Sequence, residues 1–173
     1  MAAFSNVMPQ ADGRFREWDL VVGDSQAWRC VDDPTTNDGD LTYVRIPAGK
    51  RASFRLWGSI KVDPVSLNFL VSTKAEGGST TLQYGFVNKD GLEVYNATVH
   101  SVTTAAYGLA IRTFPTSPFT GLAWTPDEMD KLEVVAKVTG ANPARLGRFA
   151  TSLTYFGFFA VNHGAELTGG VTS

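Results

Sequence analysis

The chain has 173 residues, 43% of them hydrophobic, 12% aromatic and 18% charged, with a net charge of −2. That is enough for one globular domain burying roughly two-thirds of its unfolded surface, and the slight acidic balance argues against a nucleic-acid surface, which shows as a basic excess. The one cysteine excludes an internal disulfide framework. No apolar run approaches the ~20 residues of a membrane-crossing helix, and no basic-then-apolar segment opens the chain, so a soluble protein made in a cytoplasm is expected.

Residues 1–17 carry Pro9, Asp12 and Gly13 with few periodic apolar positions, and read as an arm ordered only by another chain. Strand signals follow at Trp18–Val22 and Gln26–Val31, separated by Gly23-Asp24-Ser25. Cys30 sits in the second of these and reads as a buried strand residue. Residues 32–40 form a polar Asp/Pro/Gly loop, Leu41–Ile46 is β-branched and aromatic, and Pro47–Lys50 is a turn. From Arg51 to Trp57 the chain alternates, with Ala52, Phe54 and Leu56 on one face and Arg51, Ser53 and Arg55 on a wet one.

Val65–Ala75 is a long strand with Leu67, Phe69 and Val71 on one side, and Glu76–Ser79 turns it into Thr80–Val87. Asn88–Gly91 then makes the best hairpin signal in the chain, leading to Leu92–Val99. Ala106–Phe114 is another strand, with Leu109 and Ile111 sharing a face. A helix start follows at Thr125-Pro126-Asp127-Glu128: the threonine caps, proline takes the first helical position, and Glu128 reaches back to the cap N–H. Leu132–Val138 and Arg148–Val161 complete the strands, the last so rich in apolar and aromatic residues that burial on both faces or at a subunit contact is expected. The sum is nine or ten short strands, one helix near residues 126–131 and no repeat. Parallel units need helical crossovers, so the expected fold is an all-β, antiparallel two-sheet jelly-roll sandwich over residues 18–163, with a tail at 164–173.

Three strings carry a resemblance: Trp28 before the acidic loop with its closing Thr42-Tyr43-Val44; the Thr120–Glu128 string; and Thr151-Ser152-Leu153-Thr154-Tyr155 in the last strand. Together, across about Trp18 to Val161, the chain resembles the jelly-roll virion structural proteins of tailed bacteriophages. The resemblance implies a structural role without catalysis, most simply an exterior capsid decoration protein that self-associates (a homotrimer), bridges major capsid subunits and binds neither nucleic acid nor membrane. It implies a location on the virion after assembly in the host cytoplasm. A tail, baseplate or fibre component is the alternative, and a carbohydrate-binding module a second one. Low charge density fits a surface covered by other subunits, and the expected interface comprises Phe4, Phe15, Phe149, Tyr155, Phe156, Phe158 and Phe159.

Other sites are weighed and set lower. Asn37, Asp38 and Asp40 offer hard oxygens to calcium, but the spacing is not that of an EF-hand, and a solvated turn is the simpler reading. His100 and His163 lack zinc spacing. Asp127, Glu128 and Asp130 fall on a helix's first turn, where negative charge is favourable, rather than in a paired-acid cleft. Trp57, Tyr84, Tyr95 and Tyr107 form either a sugar platform or core and interface. No nucleophile, base and orienting group occur together, so neither an enzyme nor a cofactor is expected.

Overall fold

The computed structural model describes residues 2–32, 40–56, 64–129, 131–156, 161–162 and 165–166, with backbone alone at 2–6, 64, 155–156, 161–162 and 165–166. The strands are β1 (Ala2–Val7), β2 (Ala11–Arg16), β3 (Leu20–Val22), β4 (Tyr43–Ile46), β5 (Arg51–Arg55), β6 (Pro64–Ala75) and β7 (Thr80–Val87). They continue as β8 (Glu93–Tyr95), β9 (His100–Val102), β10 (Gly108–Phe114), β11 (Glu133–Val138) and β12 (Ala144–Phe156), with a short pair β13 (Val161–Asn162) and β14 (Ala165–Glu166). One helical turn, α1 (Pro126–Met129), precedes β11.

Twelve strands form two antiparallel six-stranded sheets. The first runs β10-β6-β12-β4-β3, with β1 taking over beside β12 where β4 ends; the second runs β2-β5-β11-β7, with β8 and β9 sharing the outer edge of β7. The expected all-β antiparallel sandwich of jelly-roll type is the fold observed.

Its core is the space between the sheets. Leu67, Phe69 and Val71 of β6 and Phe149 and Leu153 of β12 face Phe54, Leu82, Phe86, Val134 and Ala136 of the second sheet, all of them buried. Phe69 is the hub, with ring centroids 4.4 Å from Phe86, 5.1 Å from Phe114 and 5.5 Å from Phe149. Edge-on and tilted contacts of this kind add to the area they bury.

The capped turn lies where it was expected. The Thr125 N–H donates to Glu128 Oε2 at 3.0 Å, and the Glu128 N–H donates to Thr125 Oγ1 at 3.3 Å. The chain enters through a turn with Gly121 at φ +73°, which an L side chain adopts reluctantly. Trp124 then plugs the end of the sandwich, its Nε1 donating to the Phe114 carbonyl at 2.9 Å and its ring 5.4 Å from Phe86. The most conspicuous string of the sequence is thus a structural corner.

Four expectations need correction. Residues 1–17 are no free arm: β1 pairs with β12 from Ala2↔Phe156 to Val7↔Thr151, and β2 pairs with β5. Gln26–Val31 is a 3-10 turn at Ala27–Cys30, not a strand, because Asp24 Oδ1 accepts the Gln26 N–H at 2.9 Å and Asp12 Oδ1 accepts the Trp28 N–H at 3.0 Å. Such local bonds outcompete a ladder; Cys30 is buried all the same. Of Leu92–Val99 only Glu93–Tyr95 is a strand, ending at Asn96, whose side chain accepts the Thr98 N–H at 2.8 Å, and the next strand starts at His100. Ser53, placed on a wet face, is fully buried.

Candidate interaction surface

The outer face of the second sheet is closed by the chain's own residues. Ser53 of β5, Glu133 and Val135 of β11 and Val87 of β7 are turned away from the core yet buried. Strand β2 explains the first two: its register against β5 slips between Asp12 and Arg16, and the bulged residues 13–15 fold over the sheet. Only glycine fits at the crossing, since a Cβ on Gly13 would collide with Ser53 Oγ and Glu133 Oε2.

The bulge delivers hydrogen-bond donors to the buried carboxylate. Glu133 accepts from the Arg14 N–H at 2.8 Å, Arg14 Nε at 3.2 Å and Ser53 Oγ at 2.6 Å. Around it Arg51 lies under the Phe15 ring at 3.8 Å and pairs with Glu17 at 2.9 Å and Glu93 at 2.6 Å. Tyr95 caps the far side by donating to Glu93 at 2.6 Å. The Arg51 hydrogen bond holds the Glu17 carboxyl below its usual range. Every polar group in this cluster that is named here is engaged within the chain, so the face is a structural clamp.

The first sheet has a different outer face. Register places Arg45 of β4, Arg145 of β12 and Lys74 of β6 side by side in one row. Carboxylates interleave with them: Asp19 on Arg45 at 2.7 Å, Glu76 on Arg145 at 2.7 Å, and Asp40 on Arg145 at 2.9 Å and Lys74 at 3.0 Å. Tyr43 stacks on the Arg145 guanidinium at 4.6 Å, and the Tyr107 hydroxyl donates to Asp40 at 3.2 Å. Lys74 first, then Arg145, keeps the Asp40 carboxyl below its usual range. Three cations against three anions leave the row neutral.

Beyond this row the same face turns apolar. Leu109 and Ile111 of β10 stand exposed on it, opposite Ser72 and Leu70 of β6. Nothing among the described residues covers them.

The expected site residues disperse across this frame. Phe149 is corrected from interface to core: it is fully buried between the sheets, because a register shift between Leu146 and Arg148 turns its side chain inward. Phe15 is half-buried on Arg51. Phe4, Tyr155 and Phe156 lie in paired strands whose side chains are outside the described residues, as are Phe158 and Phe159 entirely. For calcium, Asn37 and Asp38 are outside the described residues, and both Asp40 oxygens are engaged by cations. Tyr84 is core, hydrogen-bonded to Thr73 at 2.9 Å, and Tyr95 and Tyr107 stand on opposite sheets, so these do not form one platform; Trp57 lies outside the described residues. His163 and Asp130 also lie outside them. His100 faces Tyr84 at 6.0 Å with Nε2 buried and unpartnered, and burial, then Arg112, lowers its pKa.

The clamp over Glu133 and the charged row were missed at the sequence level, because their members are drawn from strands up to 119 positions apart. The signal for β10 was present: Leu109 and Ile111 alternate with Ala110 and Arg112, but nothing in the pattern says which face is wet.

Fold and surface together define an antiparallel β-sandwich with one self-closed face and one partly apolar open face. No helix among the described residues is long and apolar enough to cross a membrane. No family model and no curated protein matches the chain. Among solved structures it is similar to the CBM22-1 xylan-binding domain from Paenibacillus barcinonensis Xyn10C, at 10% identity and TM-score 0.46 over 87% of this chain and 94% of that one. It is similar also to the C-terminal family 22 carbohydrate-binding module of Clostridium thermocellum Xyn10B, at 13% and 0.47 over 88% and 83%. A third is the enzymatically active domain of tailspike protein 4 from bacteriophage CBA120, at 10% and 0.43, where 88% of this chain spans 19% of that one.

Proposed function

We propose that this chain is a non-catalytic assembly module of a tailed-phage virion, exposed on the particle and held there by protein–protein contacts, with capsid decoration the first placement and a tail or fibre the alternative. The resemblance of the Thr120–Glu128 corner and its companions supplies the setting. The observation that carries the assembly role is the contrast between faces: one sheet seals its outer side with the Glu133 clamp, while the other leaves Leu109 and Ile111 uncovered. Exposed apolar groups in a patch mark surfaces that other proteins cover. Immunogold electron microscopy of the parent particle tests the reading. Label on the exterior in regular copies supports it, and particles free of the chain overturn it.

Sugar binding is a second reading, and it is the property named for several of the similar structures. Here its support is Tyr107, half-exposed at the rim of the charged row with its hydroxyl fixed on Asp40. A ring for stacking beside oriented polar groups is what a saccharide needs. Binding to a polysaccharide panel that disappears in Tyr107→Ala supports this reading; no binding across the panel sinks it.

A further inference from the structure

We infer that β10 is the seam of a two-fold homodimer, in which a second copy of this chain lays its own β10 antiparallel along the free edge, centred on Ile111. The inference rests on the reading of the chain as an assembly module and names the partner of the same surface.

Edge strands expose unpaired N–H and C=O groups, and proteins blunt them with short strands, bulges and charges. Among the other edges of the described structure, β1 is also long and regular, with six residues paired to β12 without a register shift, and the rest follow that rule. Strands β3, β8 and β9 have 3 residues each. Strand β2 is bulged, and the far side of the first sheet is divided between β3 and β1. Strand β10 departs from it. At 7 residues it is the longest edge strand described, and its pairing with β6 runs without a register shift from Gly108 to Phe114. It carries one charge, Arg112, whose guanidinium donates to the Ile111 carbonyl at 2.7 Å, a bond at the centre of the seam that the second copy has to accommodate or displace.

The strand is also complementary to itself. Antiparallel pairing about Ile111 uses all of Gly108–Phe114 and sets Leu109 opposite Thr113 of the second copy and Ala110 opposite Arg112. The two guanidinium groups are thereby kept from facing each other, as they would in a register centred on Arg112; like charges directly opposite are unfavourable. On the outer face Ile111 meets Ile111, and Leu109 and Ile111 of both copies, 54% and 53% exposed in the single chain, join one apolar strip. An isologous contact of this kind closes on two copies.

Sedimentation velocity of the full chain across a concentration series reads the mass. The expected result is a species of twice 18.7 kDa whose dissociation constant rises at least ~10-fold in Ile111→Lys and Leu109→Lys, as for anchors at an interface centre. Circular dichroism unchanged from wild type certifies that these exposed positions leave the fold intact. Under oxidation Ile111→Cys forms a disulfide-linked dimer, whereas Leu92→Cys, equally exposed just before β8, stays monomeric; the native Cys30 is buried. A wild-type monomer at all concentrations overturns the seam, as does a trimer, or a dimer indifferent to both lysine variants. A chain that is monomeric in solution yet present on the particle sinks the seam alone. A dimer absent from the particle sinks the proposed setting alone.

Discussion

Glu133 shows how one residue couples distant segments. A carboxylate this buried costs several kcal/mol to desolvate and is tolerated because donors surround it. Replacing it by alanine strands Arg14 and Ser53 without their acceptor, so Glu133→Ala is expected to cost ~3 kcal/mol, measured as a lowered urea midpoint. Gly13→Ala should act through the same clamp, by pushing the bulge off the sheet, and cost ~1–3 kcal/mol. Titration follows from His100 and the paired carboxylates. The pKa of His100 is depressed in the fold, so its contribution is complete above its unfolded value of about 6.5 and falls away as pH drops below that. Asp40, Glu17 and Asp19 are depressed by their Lys and Arg partners, so a second loss begins below about pH 4. Denaturant melts from pH 8 to 3 should show both steps, with His100→Gln removing the first and Asp40→Asn reducing the second.

Among the elements, β12 carries the greatest share of the architecture. It pairs with β6 along nearly its whole length and with β4 and then β1 on its other side. Its sequence reads as a nearly continuous apolar run, which suggested burial on both faces. From Leu146 to Thr151 both faces are buried, with Arg148 and Ala150 on the outer side, and the register shift at Gly147 adds a second cause: Ala144 and Leu146 face the core before it, and Phe149, Thr151 and Leu153 after it, so the alternation changes phase midway. Helix α1 has four residues and stands only because its ends are fixed. Thr125→Ala removes the hydroxyl acceptor and is expected to cost ~1 kcal/mol, read from thermal melts.

At the level of the whole molecule, the opening residues belong to both sheets. Strand β1 covers the edge of β12, where Thr151 Oγ1 donates to the Val7 carbonyl at 2.6 Å, and β2 supplies the clamp. Deleting residues 1–17 should therefore lower the free energy of unfolding by ~3 kcal/mol or more, read from urea melts, since it strands the same buried carboxylate. Loss of particle binding in that deletion would report unfolding unless far-UV circular dichroism stayed native.

The sequence by itself determined the class of fold, the turn between β6 and β7, the β7–β8 hairpin and the capped corner at Thr125. Each rests on neighbours in the chain: alternation with period two, Asn and Gly in turns, a hydroxyl three residues from a glutamate. Only the tertiary structure decided which faces are wet. Ser53 and Glu133 are polar and buried because β2, some forty residues or more away in sequence, folds over them. Leu109 and Ile111 are apolar and exposed because β10 ends its sheet. Strand order is set by the pairing of segments far apart along the chain, and local pattern carries no information about which strand is left at the edge.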